Sequence, residues 1–233
     1  MAAMTAKDPA RAEPHKPWVF LNFPYDVQFV RLYLAYIAGV CSFGLTPRVA
    51  LELAGGERRL DRIIDLILGC RYSFHDLSRV ELDRRRPQTP RMNMPFELGL
   101  TVMASYRNPK QHTWCIFEKD YRRALKSVGD LAGSDVYSHG ARPTGVLREI
   151  ANALVAEDRE PDIRQLMAVY RDVRAVLPSI LKKRGTKSLL RSPATKQPCF
   201  GTWCTPHKRP PRIALGPLKP NTHANDGTAT LPP

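Results

Sequence analysis

The chain has 233 residues, 43% of them hydrophobic, and a formal net charge of +14. That apolar fraction is enough for a buried core and excludes wholesale disorder, and the length suits one ordinary domain with appendages. No apolar run is long enough to cross a bilayer, and five cysteines at irregular spacing argue against a disulfide framework.

Residues 1–16 are polar and Ala-rich, broken by Pro9 and Pro14, and lack the apolar stretch of a secretory signal. They read as a disordered arm, and the expected location is cytoplasmic. An α/β domain is expected over residues 17–158. Trp18 to Asn22 is a short apolar run bounded by Pro17 and Pro24, which predicts a buried strand. Asp26 then precedes a dense helical pattern from Val27 to Ile37, expected to stop near Gly39. Thr46 to Leu51 reads as a second strand. Leu60, Ile63, Ile64, Ile67 and Leu68 form one apolar helix face ending at Gly69.

Arg71 to Asp76 is a third strand candidate, and the charged stretch Glu81 to Arg91, containing Pro87 and Pro90, reads as an exposed loop. A third helix follows, with Pro95 in its first turn and Phe96, Leu98, Leu100, Val102, Met103 and Tyr106 as its apolar positions. Thr113 to Phe117 predicts a fourth strand, and Asp130 to Tyr137 a short fifth. Val146, Leu147, Ile150, Leu154 and Val155 mark a final amphipathic helix. Alternation of strands and helices indicates a flavodoxin-like, doubly wound α/β fold with a mostly parallel five-stranded sheet covered on both faces.

Residues 159–184 predict one more helix, with Ile163, Leu166, Met167, Tyr170, Val173, Val176 and Leu177 on one face, to pack on the domain or on a partner. Residues 185–233 read as a Pro-rich, basic, disordered tail. From residue 182 onward there are ten Lys or Arg and a single acid, Asp226. The high charge thus describes mainly an appendage, which supports nonspecific contact with polyanions and no nucleic-acid role for the folded part.

In open parallel sheets, ligands bind beyond the carboxyl ends of the strands. That rule selects Asn22, Asp76 and Glu97 as polar groups from three separate strand ends. With Pro95 as first helical residue, Glu97 would stand third, where the helix dipole favours an acid by roughly 0.3–1 kcal/mol. A reciprocal capping box would need Ser or Thr at position 94, where Met94 stands. The competing reading is a carboxylate held for chemistry at an oxocarbenium-like centre. Asp76 and Asn22 read equally as turn-forming residues or as ligand contacts. His75 and Cys70 read as packing residues. No Cys/His spacing makes a metal site, and Cys199 with Cys204 is an isolated pair. Arg84 to Arg86 read as a solvated loop cluster.

Val19-Phe20-Leu21-Asn22 followed by Pro24-Tyr25-Asp26 resembles the opening strand and loop of TIR and TIR-like domains. Met94-Pro95-Phe96-Glu97-Leu98-Gly99-Leu100 resembles both the TIR helix that begins with a catalytic glutamate and the Glu-x-Gly segment of nucleoside 2-deoxyribosyltransferases. Together the motifs resemble a group of bacterial TIR-like proteins over about residues 17–157. The resemblance implies cleavage of an N-glycosidic bond, in NAD or a related nucleotide, with Glu97 as the key carboxylate and no cofactor beyond the nucleotide itself. It also implies substrate contacts by Asn22, Phe23, Asp76 and Asn93. Asn93 and Met94 stand where TIR enzymes place Ser-x-Trp-Cys or similar residues. The alternative it implies is a nonenzymatic module for nucleotide sensing or assembly, binding nucleotide through Arg71, Arg79 and Arg84 to Arg86 and self-associating or meeting a partner through the 163–177 helix.

Overall fold

The computed structural model describes residues 16–50, 58–82, 86–121, 123, 126, 128–131, 133–155, 157 and 160–183. Residues 1–15 of the expected arm, the tail with Cys199 and Cys204, and the loop arginines Arg84 and Arg85 lie outside the described residues, as does Leu51 of the expected second strand, whereas Lys16 belongs to the first strand and not to the arm.

Five parallel strands run β1 Lys16–Asn22, β2 Thr46–Val49, β3 Cys70–Asp76, β4 Thr113–Glu118 and β5 Val136–Ser138. Their order across the sheet is β2-β1-β3-β4-β5, the flavodoxin-like doubly wound arrangement. Val19, Phe20 and Leu21 are all fully buried because β1 is covered on both faces, which is why its sequence is a continuous apolar run. β5 is shorter than the expected 130–137 segment. Gly129–Leu131 forms a 3-10 turn instead, and the strand starts only at Val136.

The helices are α1 Val30–Ser42, α2 Arg59–Leu68, α3 Asn93–Arg107, α4 Pro143–Ala153 and α5 Ile163–Lys183. α1, α4 and α5 pack together on one face of the sheet, and α2 and α3 pack together on the other. α1 is buried from Leu32 through Val40 with no exposed stripe, because the sheet lies on one side of it and α4 and α5 on the other. A helix apolar all round must be enclosed in this way. Gly39 does not end α1, contrary to the sequence expectation. It lets α4 come close: a Cβ there would meet Ile150 Cδ1 at 2.6 Å. The helix continues to Ser42, and the turn comes at Gly44, whose φ is +76°.

α5 turns Leu166, Tyr170 and Val173 into the same core. The face that the sequence offered to the domain or to a partner is therefore spent mainly inside the chain, and α5 completes the cover of α1. Truncating Leu166 to Ala is expected to cost about 2–5 kcal/mol of unfolding free energy, measured by denaturant titration. A loss below about 0.5 kcal/mol, ordinary for a surface position, would mean that α5 is peripheral.

Candidate functional site

A sheet of this order has a switch point between β1 and β3, where the chain leaves adjacent strands toward opposite faces. At that carboxyl edge, on the α2/α3 side, lies a cleft of about 560 Å³, a volume ordinary for small-molecule sites. Asn22, Phe23, Pro24 and Tyr25 contribute from the loop after β1. Arg59, Leu60 and Ile63 contribute from α2, and Pro90 to Met94, Phe96 and Glu97 from α3 and the segment entering it.

Glu97 is half-buried in this wall, with no hydrogen bond or ion pair to the described residues. Burial pushes its carboxyl from the ordinary 4.5 up to about 7, against the opposing pull of the Arg59 guanidinium. The helix begins two residues earlier than Pro95 suggested. Asn93 is its first residue and Met92 its uncapped N-cap, so Glu97 stands fifth, beyond the first turn. The dipole explanation for an acid at this position fails, because the effect fades within that turn.

Asn22 is buried and lines the cleft, but its amide nitrogen is committed. Nδ2 donates to His75 Nδ1 at 2.8 Å and to the Met94 carbonyl at 2.9 Å. One side chain thus ties the end of β1 to β3 and to the first turn of α3. Burial, with a smaller push from His112, lowers His75 to about 3. Its imidazole is therefore neutral, with Nδ1 accepting and the proton on Nε2. His75 acts in packing and alignment, and the Asn22 amide oxygen is the part left for a ligand. The Phe23 ring is 1% exposed and packs against Phe29, Tyr33 and Tyr36, so Phe23 lines the wall from inside an aromatic cluster. Asn93 is exposed on the cleft rim.

Asp76 is not brought into the cleft. Its carboxylate is buried and accepts from Tyr36 Oη at 2.8 Å, the Ser78 N–H at 2.9 Å and His139 Nε2 at 3.0 Å. Burial and the neighbouring Asp76 charge raise the Tyr36 phenol well above its ordinary value, so it stays a donor. Ser78 Oγ also lies 3.2 Å from His139 Nε2, which superficially suggests a nucleophilic triad. The geometry excludes one: a triad histidine contacts Ser and Asp through different ring nitrogens. Here both are on Nε2, and Nδ1 accepts the Ala141 N–H at 3.1 Å. The Tyr36–Asp76–Ser78–His139 cluster fixes the loops after β3 and β5.

The arginines sort differently from expectation. Arg71, at the far end of β3, pairs with Glu157 at 2.8 Å. Arg79 pairs with Asp26 at 3.4 Å and donates to Gln28 at 2.9 Å. Arg59 and Arg91, which line the cleft, were not singled out in the sequence. The strand-end rule that selected Glu97 also covers the start of α2 and the segment entering α3, so it could have found both. Among the described residues no cluster of three or more His, Cys, Asp and Glu could hold a metal, and no helix is long and apolar enough to cross a membrane.

The raised Glu97 value carries a stability signature. The unfolded chain loses this proton near 4.5 and the folded chain near 7, so stability falls as pH rises through that window. Glu97→Gln removes the cost. The variant is expected to be more stable than the parent above pH 7, by on the order of 1–3 kcal/mol, with the gain vanishing below about pH 4.5. Paired melting curves across pH check this, and a pH-independent difference would refute the assignment. No protein-family model matches this chain, and neither does any curated protein.

Proposed function

We propose that the protein processes nucleotides, cleaving the N-glycosidic bond of NAD or a related nucleotide with Glu97 as the key carboxylate. One observation carries the reading: a carboxylate that no described residue engages in a hydrogen bond or ion pair, held half-buried in a switch-point cleft and pushed up to about 7. Such a group is costly for the fold to keep, and structure alone gives no return for it. The TIR-like motifs around Asn22 and Glu97 point the same way.

In this reaction the C1′–N bond breaks and its electron pair stays on the nicotinamide nitrogen, neutralising the pyridinium. Charge develops on the ribosyl C1′, where the Glu97 carboxylate stabilises or captures it. Water adds at C1′ and loses a proton, giving ADP-ribose and nicotinamide. The Asn22 amide oxygen and Asn93 are available to position the substrate. Asp76 acts only at a distance, through the loop it orders. Three free cysteines among the described residues, Cys41, Cys70 and Cys115, suit a cytoplasmic location.

Incubating the full chain with NAD, nucleotides and nucleosides should release free base, and Glu97→Gln should slow release by about 100-fold or more. Because the working form is the carboxylate, kcat/KM is expected to rise with pH through about 7 and level off above it. Equal rates in the two proteins, or no base released from any of these substrates, overturns the reading.

A nonenzymatic sensing or assembly module is the second reading, favoured by exposed apolar side chains along α2 and α3. Phe96, Met103 and Tyr106 on α3 and Leu68 on α2 are exposed apolar side chains, a surface of the kind used in contacts between proteins. Under this reading a Glu97→Gln protein keeps its biological activity while charged substitutions at Met103 and Tyr106 abolish it. The opposite pattern selects the enzyme.

A further inference from the structure

The cleft is unevenly charged. Arg91 is 3.1 Å from Asp26 Oδ2 and Arg79 is 3.4 Å from the same oxygen, so one carboxylate serves two guanidiniums at the rim. Arg59, on the opposite wall, has no ion pair or hydrogen bond among the described residues. Among the described residues that line the cleft the one acid is Glu97, whose ionisation burial opposes. The described lining of the cleft therefore carries more positive than negative charge, with one guanidinium held by none of the described residues. Beside that charge lie uncovered apolar side chains: Phe96 is 54% exposed, Met92 57% and Leu60 37%. A guanidinium binds phosphate with strong, charge-assisted hydrogen bonds, and uncovered aromatic and thioether surface suits a planar ring.

We infer that Arg59 is the phosphate-binding residue of this cleft, and that the ligand is a nucleoside bearing a 5′-phosphate or pyrophosphate, not a bare nucleoside. The inference rests on the proposed function for the place of the sugar, beside Glu97. It adds what the sequence motifs do not carry, a specificity determinant on α2. Arg59 would hold the phosphate from one wall while the base lies against Phe96 and Met92 on the other. Arg91, already paired with Asp26, would add positive field more than a direct bond.

The test uses the full chain carrying Glu97→Gln, so that binding is read without turnover. AMP, adenosine and inorganic phosphate are titrated calorimetrically into this protein and into the same protein with Arg59→Gln or Arg59→Lys added. AMP should bind about 10- to 100-fold tighter than adenosine. Arg59→Gln should erase that preference with adenosine affinity unchanged, and Arg59→Lys should keep part of it. Matched melting curves confirm that the exposed position tolerates each change. Equal affinity for AMP and adenosine overturns the inference, as does a preference that survives Arg59→Gln, or inorganic phosphate binding as tightly as AMP. Absence of AMP binding at millimolar concentration overturns it too. The outcome separates from that of the hydrolysis proposal. An Arg59-dependent preference without base release retains the phosphate site and removes the chemistry. Base release with KM unchanged by Arg59→Gln does the reverse.

Discussion

The two hydrogen bonds from the Asn22 amide nitrogen hold the site in place. Each is ordinary in strength, about 1 kcal/mol net, but both are buried, where an unmade bond costs more than a made one contributes. They fix three elements against one another: the end of β1, the end of β3 through His75, and the first turn of α3 through the Met94 carbonyl. Glu97 follows Met94 by three residues, close to one helical turn, so the position of its carboxylate depends on that carbonyl. The low His75 value belongs to the same device. A histidine that protonated near neutrality would lose the lone pair that receives Asn22 and loosen α3.

A second polar cluster does comparable work without entering the cleft. Asp76 gathers Tyr36 from α1, Ser78 from the loop after β3 and His139 from the loop after β5. Satisfied buried networks of this kind fix geometry at little net cost, whereas half-satisfied ones destabilise. Arg123 adds to it by donating to the Ser78 carbonyl at 2.9 Å. The carboxyl edge of the sheet thus divides in two. The side toward β4 and β5 holds the Asp76 cluster, and the side toward α2 holds the cleft around Glu97.

The sequence displayed the architecture because its signals are local and periodic. Continuous burial in β1, the inward face of α2 at Ile63 and Ile67, and Pro95 in a first turn each follow from one element's own pattern, although Leu60 and Leu68, expected on that α2 face, are exposed. The misread positions depend on distant contacts. Gly39 looked like a helix stop, yet it is a contact point for Ile150, more than a hundred residues away. The apolar pattern of α3 looked like core, but Met94, Leu98, Thr101 and Ala104 face inward while Phe96, Met103 and Tyr106 do not. Phe23 and Asn93, which the resemblance supplied, line the cleft, and the strand-end rule found Asn22 and Glu97 there too. It could not separate Asp76 from them, because that depends on His139 and Tyr36, whose positions only the folded sheet defines.

The opposition between burial and Arg59 at Glu97 connects the fold to the proposed chemistry. Burial alone would favour a neutral acid, useful as a proton donor and poor at stabilising a cation. A fully solvated glutamate would be ionised, but water would screen its field at C1′. Half-burial with one guanidinium nearby lies between these limits, leaving a carboxylate that ionises near neutral pH in a low-dielectric wall. Under the proposed function, a phosphate on Arg59 would offset the charge that favours ionisation, so substrate binding would push the Glu97 carboxyl toward its protonated form. That coupling makes Arg59 more than a handle for the ligand: the same residue would bind the substrate and set the charge of the group that acts on it.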